Sequence, residues 1–245
     1  MKKQVLLGCV GVIVGFLQAG CLSQRSEIQE AEGLVAYYKF DGNVEDSSSF
    51  RNDGMSCKMS FGTNRLGQEA SAGVFCGPGS FAVVKPSESL HLTNGLSFAV
   101  WVNVQGYKND WAPILCKGTS RESREYAFSL SRLVKGFYQD ENNDTYRNCI
   151  GTRVVKYPRN DEWHHLVMSY DGCSTSAYMD GELVGQEKNA CPSYLSKSGT
   201  EPLFIGMDPP GATENFVGLM DDLRIYNRPI SAEEAKRLFL LKEID

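Results

Sequence analysis

Apolar and polar positions alternate with a two-residue period along much of this chain, most clearly in Leu96-Ser97-Phe98-Ala99-Val100-Trp101-Val102-Asn103-Val104. Even positions there are apolar and odd ones small, polar or aromatic, which is the pattern of a strand lining a core on one side. Comparable runs recur at Leu34 to Phe40, Gly54 to Phe61, Ala72 to Cys76, Ser80 to Val84, Pro113 to Lys117, Tyr126 to Leu130, Gly136 to Gln139 and Cys149 to Lys156. Trp163 to Tyr170 is a firm run; Asp171-Gly172 turns it into Ser176 to Met179, and Asp180-Gly181 folds that into Glu182 to Gln186. Leu203 to Gly206 precedes a last run, Gly218 to Tyr226, in which Leu223 and Ile225, with Phe216 just before the run, are assigned to one face and Asp222, Arg224 and Tyr226 to the other. Pro229 ends that ladder because it has no N–H to donate. Ser231 and Glu234 have capping-box spacing and predict a short helix from Ala232 to Leu240. About fourteen short strands with no internal repeat predict one all-β domain built as two packed antiparallel sheets.

The chain start is of another kind. Met1-Lys2-Lys3 followed by apolar Val5 to Leu17 reads as an export signal, since the apolar stretch is too short to span a bilayer. Leu17-Gln18-Ala19-Gly20-Cys21 resembles the bacterial lipoprotein box, in which the Cys becomes the lipidated first residue. Gln18 departs from it, because a branched apolar residue usually stands three before the Cys. Lipidation at Cys21 and ordinary signal cleavage leaving a free Cys21 therefore both stand. The expected organisation is a signal over 1–20, a polar tether over 21–32, a domain over 33–240 and a tail over 241–245. The product would be exported to the cell envelope, held there by a lipid, or else periplasmic or secreted.

The formal charge of −5 becomes −7 when Lys2 and Lys3 leave with the signal. No Lys/Arg cluster stands out, so nucleic acid is excluded as the expected partner. Six cysteines remain after Cys9 and Cys21: Cys57, Cys76, Cys116, Cys149, Cys173 and Cys191. An even number in an exported chain predicts disulfides, and neighbours in sequence are favoured: Cys57 with Cys76, Cys116 with Cys149, Cys173 with Cys191. The zinc alternative is disfavoured, because no C-x-x-C pair exists and the only histidines are His91, His164 and His165.

Five separated segments carry a family resemblance: Gly33 to Asn43 with Tyr37-Tyr38-Lys39-Phe40-Asp41-Gly42, Leu96 to Val102 with Trp101, Trp163-His164-His165-Leu166 through Asp171-Gly172, Tyr178-Met179-Asp180-Gly181-Glu182, and the run from Gly218 to Ser231. In this order the chain resembles the bacterial laminin-G-like jelly-roll domains of the concanavalin-A-like lectin and glucanase superfamily, over about Gly33 to Leu240. The resemblance implies a two-sheet jelly-roll sandwich, often with a structural calcium where the first and last strands meet. Asp41 and Asn43, with Asp221 or Asp222 opposite, are the candidate oxygen ligands. The competing reading makes Asp41-Gly42-Asn43 a plain turn and pairs one of the late acids with Arg224.

Enzyme motifs are absent. The superfamily's catalytic E-x-D-x-x-E pattern does not occur, Glu122 and Glu125 flank Arg124 in a polar stretch that reads as surface charge, and His164 and His165 read as structural. Binding is the better class: aromatic faces stack on sugar rings and nearby polar groups fix hydroxyls, and two polar excursions carry Tyr107, Trp111, Tyr138 and Tyr146 beside Asn and Asp residues. The sequence thus points to a non-catalytic, envelope-attached module for glycan. A structural or adhesive protein binding another protein is the alternative, and a glycan hydrolase or lyase comes third.

Overall fold

The structure is a computed structural model. It describes residues 32–93, 95–106, 112–120, 123–130, 134–136, 150–152, 161–188, 199–209 and 215–241, with backbone only at 134–136 and 150–152. Strands are numbered in chain order: β1 (Leu34–Tyr38), β2 (Gly54–Cys57), β3 (Ser60–Gly62), β4 (Ala72–Cys76), β5 (Phe81–Val84), β6 (Leu96–Val104), β7 (Pro113–Lys117) and β8 (Tyr126–Ser129). They continue with β9 (Val134–Gly136), β10 (Ile150–Thr152), β11 (Trp163–Tyr170), β12 (Ser174–Met179), β13 (Glu182–Lys188), β14 (Leu203–Ile205) and β15 (Val217–Tyr226), followed by helix α1 (Ala232–Leu240).

An eight-stranded sheet has the order β13-β12-β11-β6-β15-β4-β3, with β1 also against β15, and a five-stranded sheet has the order β2-β5-β14-β7-β8. β9 and β10 form a separate antiparallel pair. The two large sheets face each other as an antiparallel jelly-roll sandwich. Even residues of β6 point inward, where Phe98 meets Tyr126 and Phe128 of β8 at ring-centroid distances of 5.5 and 5.9 Å. The core is continuous from Val35 and Tyr38 through Phe75, Val100 and Val102 to Leu203 and Ile225.

One expected strand is two. Gly54 to Phe61 breaks at Lys58, whose φ of 47° turns the chain out of the five-stranded sheet and into the eight-stranded one. That left-handed conformation costs a residue with a Cβ about 1 kcal/mol or more, and nothing in a lysine announces it.

Ser97, Ala99 and Trp101, on the other side of β6, are buried as well. Helix α1 accounts for this: its Phe239 ring stacks on Trp101 at 5.6 Å. The chain entering the helix is fixed to the same face, where Ile230 N–H donates to Ser97 Oγ and Ser169 Oγ, and Ser169 donates to the Ile230 carbonyl. The expected cap is present, with Glu234 N–H donating to Ser231 Oγ and Ser231 N–H to the Glu234 carboxylate. Arg228 holds the other Glu234 oxygen at 2.7 Å.

Candidate functional site

The late acids Asp221 and Asp222 lie where β15 breaks its register against β6. Asp221 stands opposite Trp101 and Arg224 opposite Ala99, so the strand carries one residue more than its partner. The surplus is absorbed at Asp222, with φ 54°. A bulge of this kind reverses which face later residues take. It puts Phe216 and Met220 before it, and Leu223 and Ile225 after it, all in the core.

Arg65 reaches this pair from the turn between β3 and β4. Asn64 shapes that turn: its Oδ1 accepts from Leu66 N–H and Gln68 N–H, each at 3.0 Å, and its Nδ2 donates to the Gln68 side chain. The Arg65 guanidinium bridges the acids, Nη1 to Asp221 and Nη2 to Asp222 at 2.8 Å, and lies 4.8 Å over the Trp101 ring. Arg224 approaches Asp222 from the other side at 3.3 Å and stacks 4.1 Å over Tyr37 of β1. The Tyr37 hydroxyl donates to Asp222 and accepts from Arg224. Asp46 fixes the Tyr37 backbone, accepting its N–H at 2.8 Å.

The electrostatics follow from this geometry. Burial alone would raise the Asp222 pKa, but Arg224, the Tyr37 hydroxyl and Arg65 outweigh it and hold the carboxyl below its usual range. The Tyr37 hydroxyl is pushed up, first by burial and then by Asp222 against the opposing pull of Arg224. His165, fully buried beside Trp101, is pulled down to about 3 by burial first and by Arg224 second, so it is neutral. Both guanidiniums are committed to carboxylate, and Asp222 offers neither a raised-pKa acid nor an open base. This assembly fastens β1, the Arg65 turn, the bulge and the helix to one another.

The residues expected to hold calcium are placed as follows. Asp41 and Asn43 stand on an exposed turn, where Asn43 Oδ1 accepts Glu45 N–H at 2.9 Å. Among the described residues no group of three or more His, Cys, Asp or Glu side chains is placed to hold a metal ion. Ca²⁺ collects six to eight oxygens, whereas Asp221 and Asp222 are already neutralised by arginine. These four residues do not fit that ion.

Other expectations meet the structure unevenly. Glu125, read as surface charge, is buried, and so is Arg124 beside it; Glu122 lies outside the described residues. Glu125 accepts from Lys117 Nζ at 2.9 Å, with His91 Nδ1 3.4 Å from its other oxygen, and Arg124 is paired with Asp208. Cys57 and Cys76 are free thiols on strands of different sheets, so their expected bond is not formed here. Cys116 is also free, and burial foremost pushes its thiol far up, which makes it unreactive. Cys173 is exposed and free. Cys21, Cys149, Cys191 and the aromatic candidates Tyr107, Trp111, Tyr138 and Tyr146 lie outside the described residues.

The sequence reading missed the outward face of the five-stranded sheet. The registers align Met55, Val83, Phe204, Cys116 and Ala127 in one row across β2, β5, β14, β7 and β8. Cys116 and Ala127 are buried, Val83 and Phe204 half-buried, and Met55 is 59% exposed. Phe81 flanks the row, its ring 6.0 Å from that of Phe204. Alternation within β5 and β14 could have shown this row, but their inward positions are equally apolar.

Comparison with known proteins agrees with the architecture. Residues 78–236 match the model of a family described as Laminin_G_3, concanavalin A-like lectin/glucanases superfamily. Domain 4 of AbnA, an extracellular arabinanase from Geobacillus stearothermophilus solved with arabinotriose, is similar at 18% identity and a TM-score of 0.66, over 84% of this chain and 97% of that one. The binding domain of Paraclostridial Mosquitocidal Protein 1 matches at 15% identity and 0.63, and that of botulinum neurotoxin serotype D at 11% and 0.64. Each covers 86% of this chain, which spans 52% of the toxin domain.

Proposed function

We propose, for a chain that belongs to the concanavalin A-like lectin/glucanase superfamily, that it is a non-catalytic binding module whose ligand is carbohydrate. The observation that carries this reading is the outward row of the five-stranded sheet, with Met55 exposed and Val83, Phe81 and Phe204 half-buried. An apolar row with aromatic rings beside it suits the apolar face of a sugar ring. Arabinotriose bound to the similar arabinanase domain supports the class of ligand. Tyr107, Trp111, Tyr138 and Tyr146 are the further aromatic contacts in this proposal.

Absence of turnover rests on the state of the acids. Hydrolysis of a glycoside needs two carboxylates beside the scissile bond, one of them protonated at working pH. Asp222 is instead held ionised between two guanidiniums. Export to the cell envelope, with a lipid at Cys21, is part of the same proposal; among the described residues no helix is long and apolar enough to cross a membrane.

A glycan array probed with residues 33–245 tests the reading, followed by turnover assays on every positive glycan. Binding of at least one glycan, weakened about tenfold or more by Phe204→Ala without loss of folding, is the expected result. An array blank on glycans would pass the molecule to a protein partner. Release of reducing ends would make it an enzyme.

A further inference from the structure

Helix α1 covers only part of the outer face of the eight-stranded sheet. Its Phe239 ring seals Trp101, which is 8% exposed, and the helix ends one residue later at Leu240. The Arg65 turn covers Asp221 beside it. The next row of the same face is more open. Registers align Trp163, Asn103, Leu219, Val74 and Ser60 directly across β11, β6, β15, β4 and β3. The first four are half-buried and Ser60 is exposed. His164, Val102, Met220 and Phe75, their neighbours along the strands, are buried, so alternation turns the row outward. Two residues further along β6, Gln105 N–H donates to the Val217 carbonyl at 3.0 Å, which adds an exposed carboxamide and a half-buried valine to the same face.

The chemistry of this strip is that of a surface for hydroxyl-rich rings. Trp163 supplies an indole and Leu219 and Val74 aliphatic groups for the C–H face of a sugar. Asn103 and Gln105 stand about 7 Å apart on one strand, and a carboxamide both donates and accepts, as a hydroxyl does. The row itself carries no charge, so nothing in it selects a phosphate or a sulfate. Five strands at a spacing of about 4.8 Å make it about 19 Å across, enough for several linked sugar rings.

We infer that the Trp163 strip is a second face for neutral glycan, and that the module holds two sugar chains at once, one on each side of the sandwich. The class of ligand rests on the carbohydrate reading above; the second face and the bridging go beyond it. The outward row of the five-stranded sheet and this strip look away from each other with the core between them. A chain lying on one does not reach the other without rounding the sandwich. The two faces therefore join separate glycan chains instead of gripping one chain twice, and a surface rich in such chains is held by both at once.

Isothermal titration calorimetry of the whole chain with arabinotriose, and with each soluble oligosaccharide that the glycan array returns, counts the sites. Two per chain are expected for at least one of these sugars. Trp163→Ala weakens one site about tenfold or more and leaves the other, Phe204→Ala does the converse, and Trp163→Phe, which keeps a ring, retains both. Unfolding midpoints of the variants close to that of the wild type separate lost contacts from lost folding, and Gln105→Ala, at an exposed position, weakens the same site as Trp163→Ala. A single site per chain, whichever variant weakens it, overturns the two-faced module while the carbohydrate reading stands. Binding by none of the sugars overturns both.

Discussion

Arg65→Met is the substitution that tests the charge cluster most directly. It keeps an apolar stem over Trp101 and removes the guanidinium that bridges Asp221 and Asp222, whose side chains are 2% and 4% exposed. Removing one partner of a buried ion pair typically costs about 3–5 kcal/mol, because the charge left behind has lost its water. The lower end applies, since Asp222 keeps Arg224 at 3.3 Å and the Tyr37 hydroxyl. A loss of about 3 kcal/mol lowers the Tm by about 6–12 °C in a domain of this size. The pH dependence gives a sharper readout. The Asp222 pKa is depressed in the folded state, so its contribution is present above the unfolded value of about 3.9 and is lost as pH falls through the folded one. Arg65→Met moves the folded value back toward the unfolded one, and the two proteins converge in acid. Urea unfolding followed by tryptophan fluorescence from pH 7 down into the acid range measures both effects. A gap under about 1 kcal/mol at pH 7, the size of an exposed pair, or a gap that does not narrow as pH falls would refute the reasoning.

Three further outcomes are expected. His165 binds its proton only near 3 when folded and near 6.5 when unfolded, so it lowers stability as pH falls between those values, by up to about 1.4 kcal/mol per pH unit; His165→Phe removes that slope, and identical urea midpoints against pH for both proteins would contradict this. Gly218 has φ 143°, and a Cβ there would lie 2.1 Å from the Asn103 carbonyl oxygen, so Gly218→Ala costs about 2–4 kcal/mol by thermal unfolding, a neutral result being the failure. Calcium does not fit Asp41, Asn43, Asp221 and Asp222, so saturating Ca²⁺ against EDTA leaves the Tm unchanged; a site filled at a hundred times its Kd would add about 2.7 kcal/mol, and such a gain abolished by Asp41→Asn would reinstate the ion.

What could be read from the sequence was local. The S-x-x-E cap marked α1 from Ala232, and alternation marked β6 over its observed length, because both signals lie within a few residues of what they describe. The bulge left a trace as well: Phe216 and Leu223 were assigned to one face although one number is even and the other odd, which a regular strand forbids. Arg65 left none. It sits in an unremarkable polar stretch, and its partners follow 156 and 157 positions later. Pairing over that distance is set by sheet order, which no window of residues contains. The burial of Arg124 escaped for the same reason, since Asp208 comes from beyond β14.

The position of β15 between β6 and β4 has a consequence for how the protein is made. Among the described residues it is the last strand, yet it joins the β13-β12-β11-β6 half of the large sheet to the β4-β3 half and takes β1 alongside. During synthesis those halves exist before the strand that unites them, with the inward faces of Phe75 and Phe98 already made. Until Val217–Tyr226 arrives, the growing chain presents two open ladder edges on either side of a missing strand, a state prone to pair with other chains. Closure then comes in one late, long-range step, slow by its topology, and Gly218, Asp222 and Arg224 enter together in that step.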